Sequence, residues 1–424
     1  MLKVPHLNTA LTVPLLDLEK KCLELQNSIE HWFRLKWHDH RAPFYGSVDL
    51  RNSGFKLTPV DMNLFPGGFN NINPSFIPLA VHAVQYLLDK YNYQARKFLL
   101  IPENHTRNQA YLHNVYTLLQ IFRQAGVEIQ IGSLSPEITE ITEVTLSDGK
   151  KLVYHPIKRE GNVIKTLSGF NPCCIILNND LSSGRPAILE DLKQHLFIPL
   201  NAGWYMRKKT NFFTEYDKVC DEFGKLIGID PWQINAFFDI CSGLDFANRI
   251  GIEELATKVD TMLAKIRIKY KEHNIKEDPY VIVKANNGTY GMGIMVVRSS
   301  EDILSINRKS RNKMAVIKDG QNVSEVIIQE GVHTFEELEG NVAEPVVYMM
   351  DNSVIGGFYR VHPEKGKDEN LNAVGANFKP LTFATPCISE FGAEPDCPPN
   401  RFYTYGVIAR LALLASSMEL ATYI

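Results

Sequence analysis

Tyr280–Met295 reads YVIVKANNGTYGMGIM, and the fold of the chain turns on how this stretch is read. Strand-forming residues run into Lys284, and Asn286 opens a loop carrying Gly288, Gly291 and Gly293. A second apolar run follows at once. The pattern is strand, Gly-rich turn, strand. Glycines let a backbone turn sharply and bring its N–H groups close to a ligand. With a lysine beside them, such loops suit the phosphates of a nucleotide. An ordinary β-hairpin is the alternative reading.

Downstream, Glu325–Glu330 (EVIIQE) reads as a strand that ends in Gln329-Glu330-Gly331-Val332. AEPVVYMMDN and SVIGGFYRV then form a hairpin around Asp351-Asn352, carrying Glu344 and Arg360. Asp368, Asn370 and Asn372 follow in a loop. Carboxylate and amide oxygens are what hard Mg²⁺ accepts alongside phosphates. Ser300–Arg311 reads as one helix. The apolar segment Val407–Leu420 is interrupted by Arg410 and is too short for a membrane span, so it reads as a packed helix.

Upstream, Phe44–Asn73 (FYGSVDLRNSGFKLTPVDMNLFPGGFNNIN) sets Asp49, Arg51, Lys56, Asp61, Asn63, Asn70 and Asn71 among glycines, prolines and aromatics. Its apolar residues need burial, so the stretch reads as ordered. Val48-Asp-Leu-Arg alternates like a strand with Asp49 and Arg51 on one face. Opposite charges beside amides suit a zwitterionic small molecule. Turn-forming Asn and Asp with salt bridges at strand ends are the equal alternative. LNAGWYMRKKTNFF (residues 200–213) places Arg207 and two lysines among aromatics, fit for phosphates or a carboxylate, or simply a solvated basic face.

Elsewhere, residues 14–37 carry apolar positions at helical spacing, and residues 212–274 read as mainly helical. A helix over 78–90, a strand at 97–102, a helix over 107–125 and a strand at 127–131 give a β-α-β rhythm with a parallel pair. Residues 141–154 read as a hairpin around Ser147-Asp-Gly and 174–177 as a buried strand. Glu103–Asn108 lies where a strand passes into a helix, an edge that ligands favour in open α/β sheets; capping by Asn104 or Thr106 is the other reading. The expected class is α/β (α+β), with a boundary near residue 200 separating domains 1–200 and 201–424.

The chain has 424 residues, 45% hydrophobic and 22% charged, which is globular composition. A net charge of −3 gives no basis for a nucleic-acid or membrane-surface partner. Seven cysteines without CxxC or zinc spacing point to free thiols in a reducing, cytoplasmic setting. No Walker A, kinase, H-E-x-x-H or G-x-S-x-G sequence occurs, and no thiol nucleophile stands out.

KANNGTYGMG, IIQEGV, AEPVVYMMDN with FYRV, and ENLNAVGAN resemble, in order, the parts of the ATP-grasp superfamily, closest to its glutathione synthetase branch. Together with VDLRNSGFKLTPVDMNLFPGGFNN and AGWYMRKKTNFF, nearly the whole chain resembles the proteobacterial glutamate–cysteine ligase family. The resemblance implies a clamp of antiparallel sheets and helices behind an α/β N-terminal domain. It implies ATP-dependent joining of glutamate to cysteine through an acyl phosphate. Lys284 and Arg360 would serve catalysis. Lys284, Asn286, Gly288, Gly291, Gly293, Gln329, Glu330 and Val332 would hold ATP. Glu344 with Asn370 and Asn372, or Asp368 with Asn370, would carry Mg²⁺. Asp49, Arg51, Lys56, Asp61, Asn63, Asn70, Asn71 and Arg207 would form the amino-acid pocket. Another carboxylate–amine ligase, an acyl-phosphate kinase and a non-catalytic nucleotide- or amino-acid-binding regulator are the competing readings. Whether copies of the chain associate is left open.

Overall fold

The β-α-β rhythm around residue 100 folds as its pattern predicts. The computed structural model describes residues 7–8, 13–90, 94, 96–104, 107–287, 293–315, 322–381 and 401–423. After a two-residue strand at Leu7–Asn8 come helices α1 (Val13–Glu24) and α2 (Gln26–Asp39) and a hairpin of β1 (Tyr45–Asn52) and β2 (Leu57–Asn63). The single helix expected over 14–37 is corrected to two, because Leu25 leaves helical geometry at φ −99°, ψ 14°. The apolar stripe survives the break: Leu15, Leu18, Cys22, Ile29 and Phe33 are all buried.

Next come α3 (Ile77–Lys90), β3 (Lys97–Pro102), α4 (Gln109–Gln124) and β4 (Glu128–Ser133). The hairpin β5 (Thr142–Thr145) with β6 (Lys151–Glu160) and the strand β7 (Cys174–Asn178) follow. Strands β7, β3, β4 and β6 pair in parallel in that order, with β5 antiparallel on β6. Covered on both faces, β3 and β7 are continuously apolar rather than alternating. Asn108, not Asn104, caps α4 by accepting from the Tyr111 N–H; Thr106 lies outside the described residues.

The second half holds α5 (Lys209–Ile227), β8 (Phe238–Ser242), α6 (Ile252–Glu272), β9 (Val281–Ala285), β10 (Ile294–Val297), α7 (Ser300–Leu304), α8 (Arg308–Ala315) and β11 (Glu325–Glu330). These strands form an antiparallel sheet in the order β8-β11-β9-β10. The strand–turn–strand reading of 280–297 is therefore observed; the loop residues 288–292, with Gly288 and Gly291, lie outside the described residues. Strand β8 corrects the helical expectation for 212–274. It is an edge strand with only Cys241 fully buried, so it carries no clear period. Ser305 leaves helical geometry and divides the expected helix at 300–311 into α7 and α8.

The third sheet joins chain segments far apart in sequence. β12 (Asn341–Met350) pairs with β13 (Ser353–His362) on one side and β1 on the other, while β14 (Asn377–Pro380) extends β13 and β2 extends β1. The last helix, α9 (Arg401–Ala421), packs on α1, α5 and the β1–β2 hairpin, with Val407 and Leu411–Ala415 fully buried. Its Arg410 pairs with Glu30, Nη1 to Oε2 at 2.8 Å. Among the described residues, no helix is long and apolar enough to cross a membrane.

Candidate active site

The period of two in a strand decides which side chains meet. On β1, Asp49 and Arg51 share a face. Asp49 lies opposite Val346 of β12 on one side and Asp61 of β2 on the other. Glu344 is two residues from Val346, hence on the same face, and it lies opposite Arg360 of β13. One sheet face therefore presents Asp61, Asp49, Arg51, Glu344 and Arg360. The Arg360 Nη1 donates to Asp49 Oδ2 at 2.8 Å and to Glu344 Oε1 at 2.6 Å. The Arg51 Nε donates to Glu344 Oε2 at 3.0 Å, and its Nη1 donates to the Val332 carbonyl at 3.0 Å.

These four charges balance in a nearly dry setting. Burial lowers the Arg360 pKa, but Asp49 and Glu344 outweigh it and raise it. Burial raises the Glu344 pKa, but Arg51 and Arg360 outweigh it and hold the carboxyl low. At Asp49 burial prevails over Arg360, so its carboxyl lies above the usual range.

The facing wall is one side of the β8–β11 sheet. Lys284 lies opposite Ile327, and Ile282 lies opposite Gln329. Ile282, Lys284, Gln329 and Ile294 line the cavity, whereas Val281, Val283, Val326 and Ile328 turn the other way, into the core around α6. Lys284 Nζ donates to the Val60 carbonyl at 2.8 Å, and burial pulls its pKa down to about 8. The Gln329 Nε2 is buried without a hydrogen-bond partner among the described residues. Asp61 accepts from Lys209 Nζ at 2.8 and 3.0 Å. Burial raises the Asp61 pKa, but Lys209 and Lys284 overcome it and hold the carboxyl at about 2.

A third wall comes from the C-terminal edge of the parallel sheet. Glu103, after β3, and Asn178 and Asp180, at the end of β7, line the cavity. Glu103 Oε1 accepts from the Asp180 N–H at 2.8 Å, and Asn178 Nδ2 donates to the Pro66 carbonyl at 2.9 Å. This fixes the Pro66-Gly-Gly turn against the sheet. Gly68 has φ +91°, and a Cβ there would come within 2.9 Å of the Tyr348 hydroxyl, so glycine is required. The three walls enclose a cavity of about 380 Å³.

Most residues singled out from the sequence meet there. Asp49, Arg51, Asp61, Asn63, Asn70 and Asn71 line it from the first half of the chain. Lys284, Gln329, Glu330 and Val332 line it from the β8–β11 sheet and its exit, and Glu344, Arg360, Asn370 and Asn372 from the third sheet and its loop.

Five lie elsewhere. Lys56 is buried, its Nζ 2.7 Å from Glu330 Oε1, whose carboxylate also accepts from Trp232 Nε1 and the Phe237 N–H. The Glu330 carboxylate is thus fully engaged by protein groups. Arg207 is fully buried and donates to Glu419 and to the Met62 carbonyl, so it does not reach a ligand. Asn286 ties the loop to α5, accepting from the Thr210 N–H at 3.0 Å and donating to Glu325 Oε1 at 2.6 Å. Asp368 pairs with Arg298. Gly293, at φ +61°, begins β10 outside the cavity lining.

The sequence reading missed Trp204, Lys209 and Asp180 as lining residues. In the sequence Lys209 is one member of a basic triplet, and nothing local separates it from Arg207.

Oxygen ligands for Mg²⁺ are present in kind: Glu344, Asn370 and Asn372 share the cavity. The one metal-like cluster of His and carboxylates among the described residues, Asp230, Glu272 and His273, lies outside the cavity lining and is occupied by Lys269, 2.8 Å from Asp230.

A cavity that joins a lysine strand, an arginine–carboxylate network and amide oxygens defines a site for charged small molecules. The family model described as GshA, glutamate-cysteine ligase, matches residues 19–420. The chain belongs to that family and is an enzyme, a glutamate–cysteine ligase by class. The crystal structure of a provisionally assigned gamma-glutamylcysteine synthetase from Methylobacillus flagellatus KT is 58% identical, with 100% of each chain covered and a TM-score of 0.92. A glutathione synthetase-like effector (GSS30) from Globodera pallida is 10% identical at TM-score 0.37, over 84% of this chain and 82% of that one. D-alanyl-alanine synthetase A from Vibrio cholerae is 10% identical at TM-score 0.26, over 75% and 81%. Likenesses that slight carry no argument. No curated protein matches the chain.

Proposed function

We propose that the enzyme uses ATP to join the γ-carboxylate of L-glutamate to the amine of L-cysteine, giving γ-glutamylcysteine, ADP and phosphate. This is the first step of glutathione synthesis. The observation that carries the reading is one cavity in which the sheet face bearing Lys284 meets the face bearing Asp49, Arg51, Glu344 and Arg360, in a chain of this family.

In this account Ile282 and Ile294 offer the nucleotide base an apolar floor, and the Gln329 amide offers it a donor that the protein leaves unused. Lys284 faces the phosphates. Arg360, already fixed by two carboxylates, meets the transferring phosphoryl group without reorganising, as electrostatic catalysis requires. Glu344 with Asn370 and Asn372 would hold Mg²⁺, which would offset phosphate charge when bound. A γ-carboxylate oxygen attacks the terminal phosphorus and ADP leaves. The cysteine nitrogen then attacks the acyl carbon, loses its proton and expels phosphate. Charge neutralisation and positioning suffice for such transfers, so no covalent nucleophile is needed from the protein.

The test is ADP release with ATP, Mg²⁺ and glutamate, with and without cysteine, followed by the product mass. Cysteine-dependent ADP with a γ-glutamylcysteine mass supports the reading. ADP without cysteine, or another product, opposes it.

A further inference from the structure

We infer that Lys209 is a specificity-determining residue that receives the carboxylate of an amino-acid substrate, in a subsite formed with Trp204 and Asp61. The inference rests on the ligase reading above and adds a residue to it. Lys209 begins α5, and its side chain, 7% exposed, lines the cavity. Its ammonium lies 4.4 Å from the centroid of the Trp204 ring and 2.8 Å from Asp61 Oδ1.

At this end of the cavity the Asp61 carboxylate is in reach of both Lys209 and Lys284, and Asp49 also acts on Lys284. Arg207, 4.9 Å from the Trp204 ring centroid, is neutralised by Glu419. Beyond Asp61, Asp49 and Glu344 are matched by Arg51 and Arg360. Shared in this way, Asp61 leaves the Lys209 ammonium with N–H donors that a ligand carboxylate can accept from. The Trp204 indole N–H is a second sign of an absent acceptor: it is buried and has no hydrogen-bond partner among the described residues.

Lys284 continues the strand that leads to the Gly-rich loop, which assigns it to phosphate. Lys209 stands on a different element, beside Trp204, whose backbone N–H donates to the Asp180 carbonyl at 2.9 Å. Asp180 adds a carboxylate to the same end of the lining. Cation and anion side by side fit the two ends of a free amino acid better than they fit a polyphosphate.

The test compares wild type with Lys209→Gln and Lys209→Arg, using glutamate, cysteine, glutamate α-amide and cysteine amide as probes. The wild type is expected to prefer the acid over the amide for the amino acid that Lys209 serves. Lys209→Gln is expected to raise the KM of that amino acid about tenfold or more and to erase the preference. The KM for ATP should hold; the melting temperature falls with the lost Asp61 partner, and Lys209→Arg, which keeps that partner, should recover both the stability and part of the KM loss. Which amino acid responds identifies the subsite. A rise confined to ATP, unchanged amino-acid KM values, or an acid-over-amide preference that persists in Lys209→Gln would overturn the inference. If the wild type makes no γ-glutamylcysteine at all, the ligase reading itself falls, and this inference with it.

Discussion

Asp49 and Asp61 are direct cross-strand partners in the β1–β2 hairpin, like charges where a sheet ordinarily avoids them. Each is held by a different cation: Asp49 by Arg360 at 2.8 Å, Asp61 by Lys209 at 2.8 Å. Arg360 belongs to the third sheet and Lys209 to α5. The repulsion is thus balanced by elements from the other half of the chain, and the hairpin is stable only in their company.

The two carboxyls make opposite contributions with pH. Asp61 lies at about 2, below its ordinary value, so its stabilisation is present at neutral pH and lost as pH falls from about 4 towards 2. Acid unfolding of wild type and Asp61→Asn should show two stability curves that converge over that window. A constant separation down to pH 2 would contradict the assignment. Asp49, raised above its ordinary value, contributes no such acid-labile stability.

Lys284 should impose an alkaline limit on nucleotide use. With its free-enzyme pKa at about 8, the charge that faces phosphate is lost as pH rises through that value. The expected outcome is kcat/KM for ATP falling up to tenfold per pH unit above about 8, a profile that reports the free enzyme. Lys284→Arg should remove the alkaline limb. A flat profile to pH 9.5 in wild type would count against Lys284 as the phosphate lysine.

Arg207 is expected to matter for folding and not for substrate. Its Nη2 and Nε bind Glu419 at 2.9 Å, with both side chains essentially sealed from solvent. Arg207→Met leaves that carboxylate buried and unpaired and should cost about 3–5 kcal/mol in urea unfolding. Adding Glu419→Gln should recover part of the loss, as coupled residues do. Normal stability with a raised glutamate KM would return Arg207 to the pocket.

Arg51 braces the site rather than gripping one ligand. Beyond Glu344 and Val332, its Nη2 donates to the Glu369 carbonyl, in the loop that carries Asn370 and Asn372. Removing it disturbs the strand exit at Val332 and the loop together. Arg51→Ala should therefore lower kcat/KM for ATP and glutamate alike, by about tenfold or more each. A change in the glutamate KM alone would restore the carboxylate-clamp reading suggested by composition.

Local patterns made much of this legible. Alternation in VDLR put Asp49 and Arg51 on one face, and the apolar runs at 281–285 and 325–330 gave the strands behind Lys284 and Gln329. What sequence could not show were partners far along the chain. Lys56 finds Glu330 across 274 positions, and Arg207 finds Glu419 across 212. Both basic residues look available for ligands until the buried carboxylate that claims each one is seen. The pairing of β1 with β12 is equally nonlocal, and without it Glu344 has no visible relation to Arg51. Strand β8 was hidden for a different reason: an edge strand half open to solvent has no pronounced period.

The most direct test of the account supplies glutamate labelled with ¹⁸O in its side-chain carboxylate, together with ATP, Mg²⁺ and cysteine, and follows both products by mass. The account predicts γ-glutamylcysteine and one labelled oxygen in the released phosphate, because that oxygen attacks phosphorus and leaves with it. Product without label in the phosphate would contradict the acyl phosphate, and ADP without γ-glutamylcysteine would contradict the ligation itself.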